Sequence, residues 1–422
     1  MSTATAPAAV AQLLPGNRVL TGAAASEWSG GRAVEAVLFP TDTDEVRALV
    51  REANETGTDL LPAGNGSWLD AGGWTGVRGG VVVSTARLDT LFHYEPADLT
   101  LTAGAGLGWR KLAAVLEPNG QWLPWDAPGA AAGTLGGAVA CGGSGPLSAR
   151  YGAIRDNVLG LEVVTGDGRL LRIGGRVVKN VAGYDLVRLF TGSRGSLGVI
   201  TRVSVRLFPR PEADMTMVFE GGVERGLEVA RAVRTTSLPV AAAEMDIRGG
   251  GASGRETRVV VRVLGSREEA EEVCSRLAAE IGAAPAGTMR GGESDVFHRR
   301  RSVWEERSPV VVRLAALPDQ VAVTMRWARE VARRTRGEIA ADVLGGVVRV
   351  KGSPADDGTA ELAAVLMRAR RDVEAVGGTM TLSRAPQAVA ATAGWAGGGG
   401  GALVQRIKSL FDPGSVLLSR CP

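Results

Sequence analysis

Histidine is nearly missing from this chain, which has two in 422 residues, His93 and His298. Imidazole is the usual proton acceptor near neutral pH, so acid–base chemistry has at most these two to draw on. Cysteine is about as scarce. Cys141, Cys274 and Cys421 are odd in number and far apart, which excludes a disulfide framework and leaves no ligand set for an iron–sulfur or zinc site. A reducing cytoplasm fits that usage. An excess of one charge is lacking too: 48 basic against 45 acidic residues leave +3, no footprint for nucleic acid or an anionic membrane. No apolar run approaches the ~20 residues that span a bilayer, and the opening MSTATAPAAVAQLLPG has no basic segment of the signal-peptide kind. Lysine occurs only at Lys111, Lys179, Lys351 and Lys408, a bias toward arginine to which no function attaches.

Glycine is abundant, at 59 residues, and concentrated in a few places. Gly133, Gly136, Gly137, Gly142, Gly143 and Gly145 form a dense loop whose backbone can approach a ligand closely and whose unpaired N–H groups can cradle an anion such as a pyrophosphate. LGLEVVTGDGRLLRI follows as two strands, with Gly166-Asp167-Gly168 read as a two-residue hairpin turn. Gly192, Gly195 and Gly198 then lead into the β-branched run VITRVSVRLF. Upstream, the strand DLLPAG enters a second loop, Gly64-Asn65-Gly66-Ser67. Gly104-Ala105-Gly106-Leu107-Gly108 imitates a dinucleotide fingerprint, but Trp109 takes the third glycine's place and a structural strand–helix turn is expected.

The length implies two or three domains. AVLFPTDTDEVRALVREANETGTDLLPAGNGS reads as strand, helix, strand and loop, with Asp42 or Thr43 capping the helix, Val46, Leu49, Val50 and Ala53 on its apolar face, and Gly57 ending it. Strands and helices alternate to residue 209. Beyond Pro209-Arg210-Pro211 a βαββα series is followed by a β-α-β-β-α-β series from PVVVRLAAL to TMTLSRA, turning at Gly345-Gly346, which is a ferredoxin-like order. Gly397 to Gly401 form a low-complexity joint before the helix LVQRIKSLF. The expected boundaries are 30–209, 210–388 and 389–422.

PAGNGS at 62–67, TLGG at 134–137, RYGAIRDNVLG, VVKNVAGYDL, GSLGVIT and the terminal FDPGSVLLSR together resemble the FAD-binding domain of the vanillyl-alcohol oxidase or PCMH-type flavoprotein superfamily, in its 2-hydroxy-acid branch. The likeness covers nearly the whole chain and is greatest to the FAD-binding subunits of glycolate oxidases. It implies an α+β protein: a two-lobed FAD-binding domain, a ferredoxin-like domain and a C-terminal return helix. Pro62, Ala63, Gly64, Asn65, Gly66 and Ser67 match the family's first pyrophosphate loop, and Thr134, Gly136 and Gly137 the second. Gly142, Gly143 and Ser144 continue along the cofactor. Tyr151, Gly152 and Asp156 match the motif packed beside the flavin, and Gly198, Val199 and Ile200 the strand that reaches it; Lys179 and Tyr184 lie between them. Members with covalent flavin place a histidine in the first loop, so noncovalent FAD is implied here. Arg194 replaces a glutamate of the larger catalytic homologues, whose contacts therefore do not transfer.

The resemblance further implies a larger homologous flavoprotein subunit and an iron–sulfur subunit as partners, glycolate or another small 2-hydroxy acid as substrate, no nucleic acid, and a cytoplasmic location with membrane contact only through partners. Catalytic homologues carry paired histidines and acids that hold a metal in the C-terminal half, and one histidine beyond residue 209 supplies no such site. No catalytic residue is assigned. His93, in LDTLFHYEP, reads as a surface residue. His298, in DVFHRRRSVWEERSP, reads as part of a solvated charged helix face, although its arginines could grip a carboxylate. Of the nine tryptophans, Trp68, Trp74, Trp122 and Trp125 fall near the loops, where packing is the commoner role. Three readings stay open: a flavin-bearing subunit of a glycolate-oxidising complex, a stand-alone 2-hydroxy-acid dehydrogenase, and an assembly protein on a degenerate flavin fold.

Overall fold

The computed structural model describes residues 6–29, 34–67, 69, 80–126, 132–175, 185–248, 256–302, 308–354, 358–394 and 402–418. Lys179, Tyr184, Trp68, Trp74, Cys421 and the Gly397–Gly401 joint lie outside them.

The chain begins with α1 (Ala6–Ala11), β1 (Val19–Thr21), α2 (Gly22–Trp28), β2 (Ala36–Leu38), α3 (Thr43–Thr56), β3 (Leu60–Ala63) and β4 (Val81–Ser84). Helix α3 forms where its sequence says it should. The Asp42 carboxylate accepts the Glu45 N–H at 2.8 Å, Gly57 closes the helix in the left-handed region, and Val46, Leu49, Val50 and Ala53 are fully buried. The strands pair in the order β1-β2-β4-β3, parallel across β2, β4 and β3, and make the first lobe.

The second lobe holds β5 (Leu91–Glu95), β6 (Thr100–Gly104), α4 (Trp109–Leu116), β7 (Gln121–Trp122), α5 (Leu135–Cys141), α6 (Ser148–Tyr151), α7 (Ile154–Asn157), β8 (Val158–Thr165), β9 (Leu170–Gly174), α8 (Leu186–Phe190), β10 (Gly198–Arg206) and β11 (Phe208–Pro209). Its sheet is antiparallel, in the order β5-β6-β10-β8-β9. Two sequence expectations change here. The glycine-dense stretch is not loop throughout: Leu135–Cys141 is helical, capped by the Thr134 hydroxyl, which accepts the Gly137 N–H, and position 136 requires glycine because a Cβ there would come within 2.5 Å of the Ala105 Cβ. The β8–β9 turn has three residues, with Thr165 opposite Arg169 and Gly168 at φ +77°.

Then come β12 (Ala213–Gly221), α9 (Val223–Thr235), β13 (Val240–Arg248), β14 (Glu256–Gly265), α10 (Arg267–Ile281), β15 (Gly287–Arg290) and α11 (Gly292–Ser302). A second series repeats the order: β16 (Val310–Ala315), α12 (Val321–Thr335), β17 (Glu338–Asp342), β18 (Val347–Gly352), α13 (Thr359–Ala375), β19 (Thr379–Arg384), and then α14 (Gln387–Thr392). Both series are βαββαβ units. The sequence hides the last strand of the first unit, since GTMR is short, lies at the edge and has no alternation. Antiparallel pairing of β13 with β17 joins the units into one sheet, β15-β12-β14-β13-β17-β18-β16-β19. The period of two divides this sheet. Residues such as Met217, Met245, Val261, Val312 and Val350 face the helices and form the largest core, while the alternate residues face the two lobes.

Helix α15 (Ala402–Phe411) returns the chain to the start. Phe411 packs edge-on to Phe190 at 5.1 Å, and Leu417 bridges to Leu60 beside β3. Asp412 fixes this return. Fully buried, it accepts the N–H groups of Val416 and Leu417 at 3.0 Å each and pairs with Lys408, whose ammonium also donates to the carbonyls of Ser196 and Leu417. Removing one partner of a buried, hydrogen-bonded pair costs about 3 kcal/mol. Asp412→Ala is therefore expected to lower unfolding free energy by about that amount in urea titration, and Asp412→Asn by less.

Candidate functional site

Two cavities meet at Ser67, Cys141 and Arg194 to form one cleft. The inner part, ≈ 50 Å³, is lined by Pro62 to Ser67, by Thr134, Gly136 and Gly137, and by Gly198 to Ile200. The outer part, ≈ 580 Å³, lies between Gly142 to Ser144 and the lobe-facing side of the eight-stranded sheet.

Backbone proximity builds the inner part. β3 delivers the first loop, and the Ser84 and Thr85 hydroxyls hold it by donating to the carbonyls of Gly64 (2.8 Å) and Ala63 (3.2 Å). Asn65 Nδ2 ties it to the Ala132 carbonyl at 3.3 Å. Gly64 touches Thr134 so closely that a Cβ would lie 2.3 Å from its Oγ1, and that same Oγ1 caps α5 by accepting the Gly137 N–H. The expected anion cradle therefore shifts. Leu135, Gly136 and Gly137 donate their N–H groups within the chain, to Leu107 O, Ala105 O and Thr134 Oγ1. The N–H groups of Asn65, Gly66 and Ser67 in the first loop, and of Gly143, Ser144 and Gly145 beyond α5, donate to no described residue.

Two side-chain atoms have the same character. Ser67 Oγ and Arg194 Nη1 are buried with no hydrogen-bond partner among the described residues, and both sit where the cavities join. A buried guanidinium nitrogen left unpaired costs roughly 1–3 kcal/mol. An anionic, hydrogen-bond-accepting group in the cleft relieves that cost, so the residues present fit the pyrophosphate of a dinucleotide cofactor. Arg194 holds a left-handed backbone at φ +54°, fixed by its N–H bond to Ala140 O at 2.7 Å. A Cβ on Gly143 would meet nothing within 4 Å, so packing does not require glycine there, whereas room for a bound group does.

The outer wall comes from β16, β17, β18 and β19. Arg313, Arg349 and Arg384 line it, with Asp342 as the one carboxylate among the described lining residues. Arg349, 9% exposed, donates to the Ser144 carbonyl at 2.9 Å and so joins the sheet to the glycine loop. Burial pushes the Asp342 carboxyl up to about 6, with Glu244 reinforcing it and Gly345 N–H and Arg349 opposing. In the facing lobe Asp126 is pushed up to about 7, again chiefly by burial; the Leu147 N–H bond pulls it down, and Glu244 and Asp342 push it further up.

Most residues expected from the sequence converge on this cleft. Tyr151, Gly152 and Asp156 do not line it: Tyr151 packs edge-on to Trp122 and Phe208, and Asp156 accepts the Ala153 N–H and pairs with Arg188. Their neighbours Ser148, Ala153 and Arg155 line it instead. His93 lies in β5, away from the cleft. His298 is not simply a solvated helix residue, since its Nε2 lies 2.9 Å from Thr216 Oγ1. Arg299 beside it pairs with Asp295, so the cationic wall is not built from that segment. Trp122 and Trp125 pack in the protein rather than along the cleft, Trp125 edge-on to Trp109. Sequence reading missed Cys141, Arg155, Arg313, Arg349, Arg384 and Asp342. The available signal was arginine at the outward positions of the valine-rich strands VVVRLA and VVRVKG. Among the described residues no helix is long and apolar enough to cross a membrane.

A family model described as an FAD binding domain matches residues 34–174. The chain is 31% identical over 346 residues to glycolate oxidase subunit GlcE of Escherichia coli (strain K12), covering 78% of this chain and 92% of that one. It is 32% identical over 312 residues to a D-lactate dehydrogenase of Archaeoglobus fulgidus, covering 69% and 68%. In fold it matches 4-ethylphenol oxidase from Gulosibacter chungangensis with a TM-score of 0.74 over 98% of this chain and 95% of that one, at 16% identity.

Gly143→Leu is expected to leave the melting temperature of the flavin-free protein unchanged and to lower bound flavin per chain at least about tenfold. Gly64→Ala, which displaces Thr134, is expected to lower both; melting curves and the visible spectrum separate the two. The raised carboxyls also set a pH dependence. The unfolded chain releases these protons near 3.8, and the folded chain keeps them to about 6 at Asp342 and about 7 at Asp126. Folding stability should therefore fall as pH rises from about 4 to about 7 and level off above. Asp126→Asn is expected to flatten that slope in denaturant titrations at pH 5 and pH 8.

Proposed function

The chain belongs to the family of FAD-dependent oxidoreductases that includes this glycolate oxidase subunit and this D-lactate dehydrogenase, and from that premise we propose that it is the FAD-bearing subunit of a complex that oxidises glycolate to glyoxylate. The observation that carries the reading is the single cleft where Pro62–Ser67, Thr134–Gly137, Gly142–Ser144 and Gly198–Ile200 meet around two unpaired buried polar atoms. In this reading residues 30–209 hold the cofactor, 210–388 supply the face turned to the substrate, and 389–422 brace the first lobe from behind.

FAD binds noncovalently, since the first loop offers no histidine for attachment. Ser67, Arg194 and the N–H groups of Asn65, Gly66, Gly143 and Ser144 take its phosphates and polar edges, and the apolar Leu69, Val199 and Ile200 border the inner cleft. Bound FAD supplies a two-electron acceptor for the hydrogen on the substrate α-carbon. The arginines of the outer wall hold the substrate carboxylate. No histidine lines the cleft to take the hydroxyl proton, which favours a larger homologous flavoprotein as the main catalytic subunit and an iron–sulfur subunit as the onward electron acceptor. Such an assembly works in the cytoplasm and meets a membrane only through its partners.

An absorption spectrum tests this. Purified chain should show flavin bands, acid precipitation should release the flavin into the supernatant, and glycolate should bleach the bands fully only after co-expression with the two partners. Complete bleaching of the isolated chain would identify a stand-alone dehydrogenase, and a colourless chain would identify an assembly protein.

A further inference from the structure

Helix α5 ends on bonds from its own lobe. The carbonyls of Ala138, Val139 and Ala140 accept the N–H groups of Gly142, Gly192 and Arg194. In the loop that follows, Gly142 to Gly145, the Ser144 hydroxyl accepts the Ile154 N–H at 3.3 Å and the Gly145 carbonyl accepts the Ser148 N–H at 3.1 Å, while a Cβ on Gly143 would meet nothing within 4 Å. The Ser144 carbonyl is held from across the cleft. Arg349, on β18 of the eight-stranded sheet, donates to it from Nη2 at 2.9 Å.

Arg349 is itself well fixed. It is buried, its strand is paired on both sides with Arg349 opposite Ala340 of β17 and Arg313 of β16, and its charge lies near enough to Asp342 to pull that carboxyl down. A planar trans peptide points its C=O and its N–H in opposite directions. A guanidinium anchored on the Ser144 carbonyl therefore sets the plane of the Ser144–Gly145 peptide and the direction of the Gly145 N–H, one of the donors with no partner among the described residues. Gly143 and Ser144, whose N–H groups precede it in the same short loop, line the outer cavity together with Arg349.

We propose that Arg349 is a positioning residue for the cofactor: from the eight-stranded sheet it holds the Gly143–Gly145 backbone in the orientation that receives FAD, so that flavin affinity depends on a side chain 205 positions from the loop it steadies. Arg349 acts through Ser144 and need not touch FAD. Without it the loop is ordered only by the incoming cofactor, and that ordering weakens binding. Linkage makes the effect reciprocal, so bound FAD strengthens the contact between loop and sheet. The proposal rests on the reading of this loop as part of the flavin site; the dependence on Arg349 rests on the Ser144 contact alone.

Titration of the flavin-free full-length chain with FAD, followed by the quenching of flavin fluorescence and paired with melting curves of the flavin-free protein, tests it in two variants. Arg349→Met fills the space but cannot donate, and Arg349→Lys keeps the charge and a donor. Arg349→Met is expected to weaken FAD binding at least about fivefold, and Arg349→Lys to stay within about twofold of the wild type. A merely structural role would lower the melting temperature and leave the affinity unchanged. FAD binding by Arg349→Met as tight as the wild type's, or by Arg349→Lys as weak as that of Arg349→Met, would overturn the proposal. Should Arg349→Met fail to fold, Arg349→Gln, whose side chain is too short to reach the Ser144 carbonyl, takes its place with the same outcomes. A wild-type chain that binds no FAD would sink the parent reading and this proposal together, whereas the two results above sink this one alone.

Discussion

The cleft depends on glycines packed so tightly against neighbouring segments that no methyl group would fit between them. Gly64 against Thr134, Gly136 against Ala105 and Gly195 against Pro62 leave no space for a Cβ at any of the three contacts. Each contact draws a different element to one line: the end of β3, the start of α5 and the approach to β10. Thr134 serves twice, filling the space beside Gly64 and capping α5. The first loop and the glycine stretch beyond α5 then open on the same space with N–H groups left over, and a loop-bound anion becomes the natural occupant.

A second constraint comes from burying a polar sheet face. The eight strands turn their apolar side to four helices and their charged side to the lobes. Two carboxyls, Asp342 on that charged side and Asp126 in the lobe facing it, are pushed up to about 6 and about 7, chiefly by burial. Arg349 crosses the gap to the Ser144 carbonyl, so the wall that would meet a substrate and the loop that would meet a cofactor are linked by one side chain. The C-terminal return has a comparable role behind the first lobe, where fully buried Asp412 accepts from two N–H groups and pairs with an ammonium.

Much of this was legible in the chain. The α3 cap, its four buried apolar residues and its closing glycine follow from local rules, as does the second βαββαβ unit, because periodicity and capping act over a few residues. The loops at 62–67 and 134–137 were recognisable from glycine spacing and resemblance. Strand β15 was not, because four residues at a sheet edge leave no pattern. Helix α5 was hidden because glycine in a helix is unfavourable until a neighbour such as Ala105 requires it. The cavity arginines could be seen as outward positions on strands, but not as neighbours.

By itself, then, the sequence determined the cofactor class, the order of elements and the shortage of imidazole, because composition, spacing and local propensity carry all three. Tertiary structure decided which N–H groups stay unpaired, that Tyr151 and Asp156 stabilise the fold beside the cleft rather than line it, and that Arg313, Arg349 and Arg384 converge on one cavity. Those outcomes arise from strand register and lobe packing between residues far apart in the chain, and no local pattern encodes such distances.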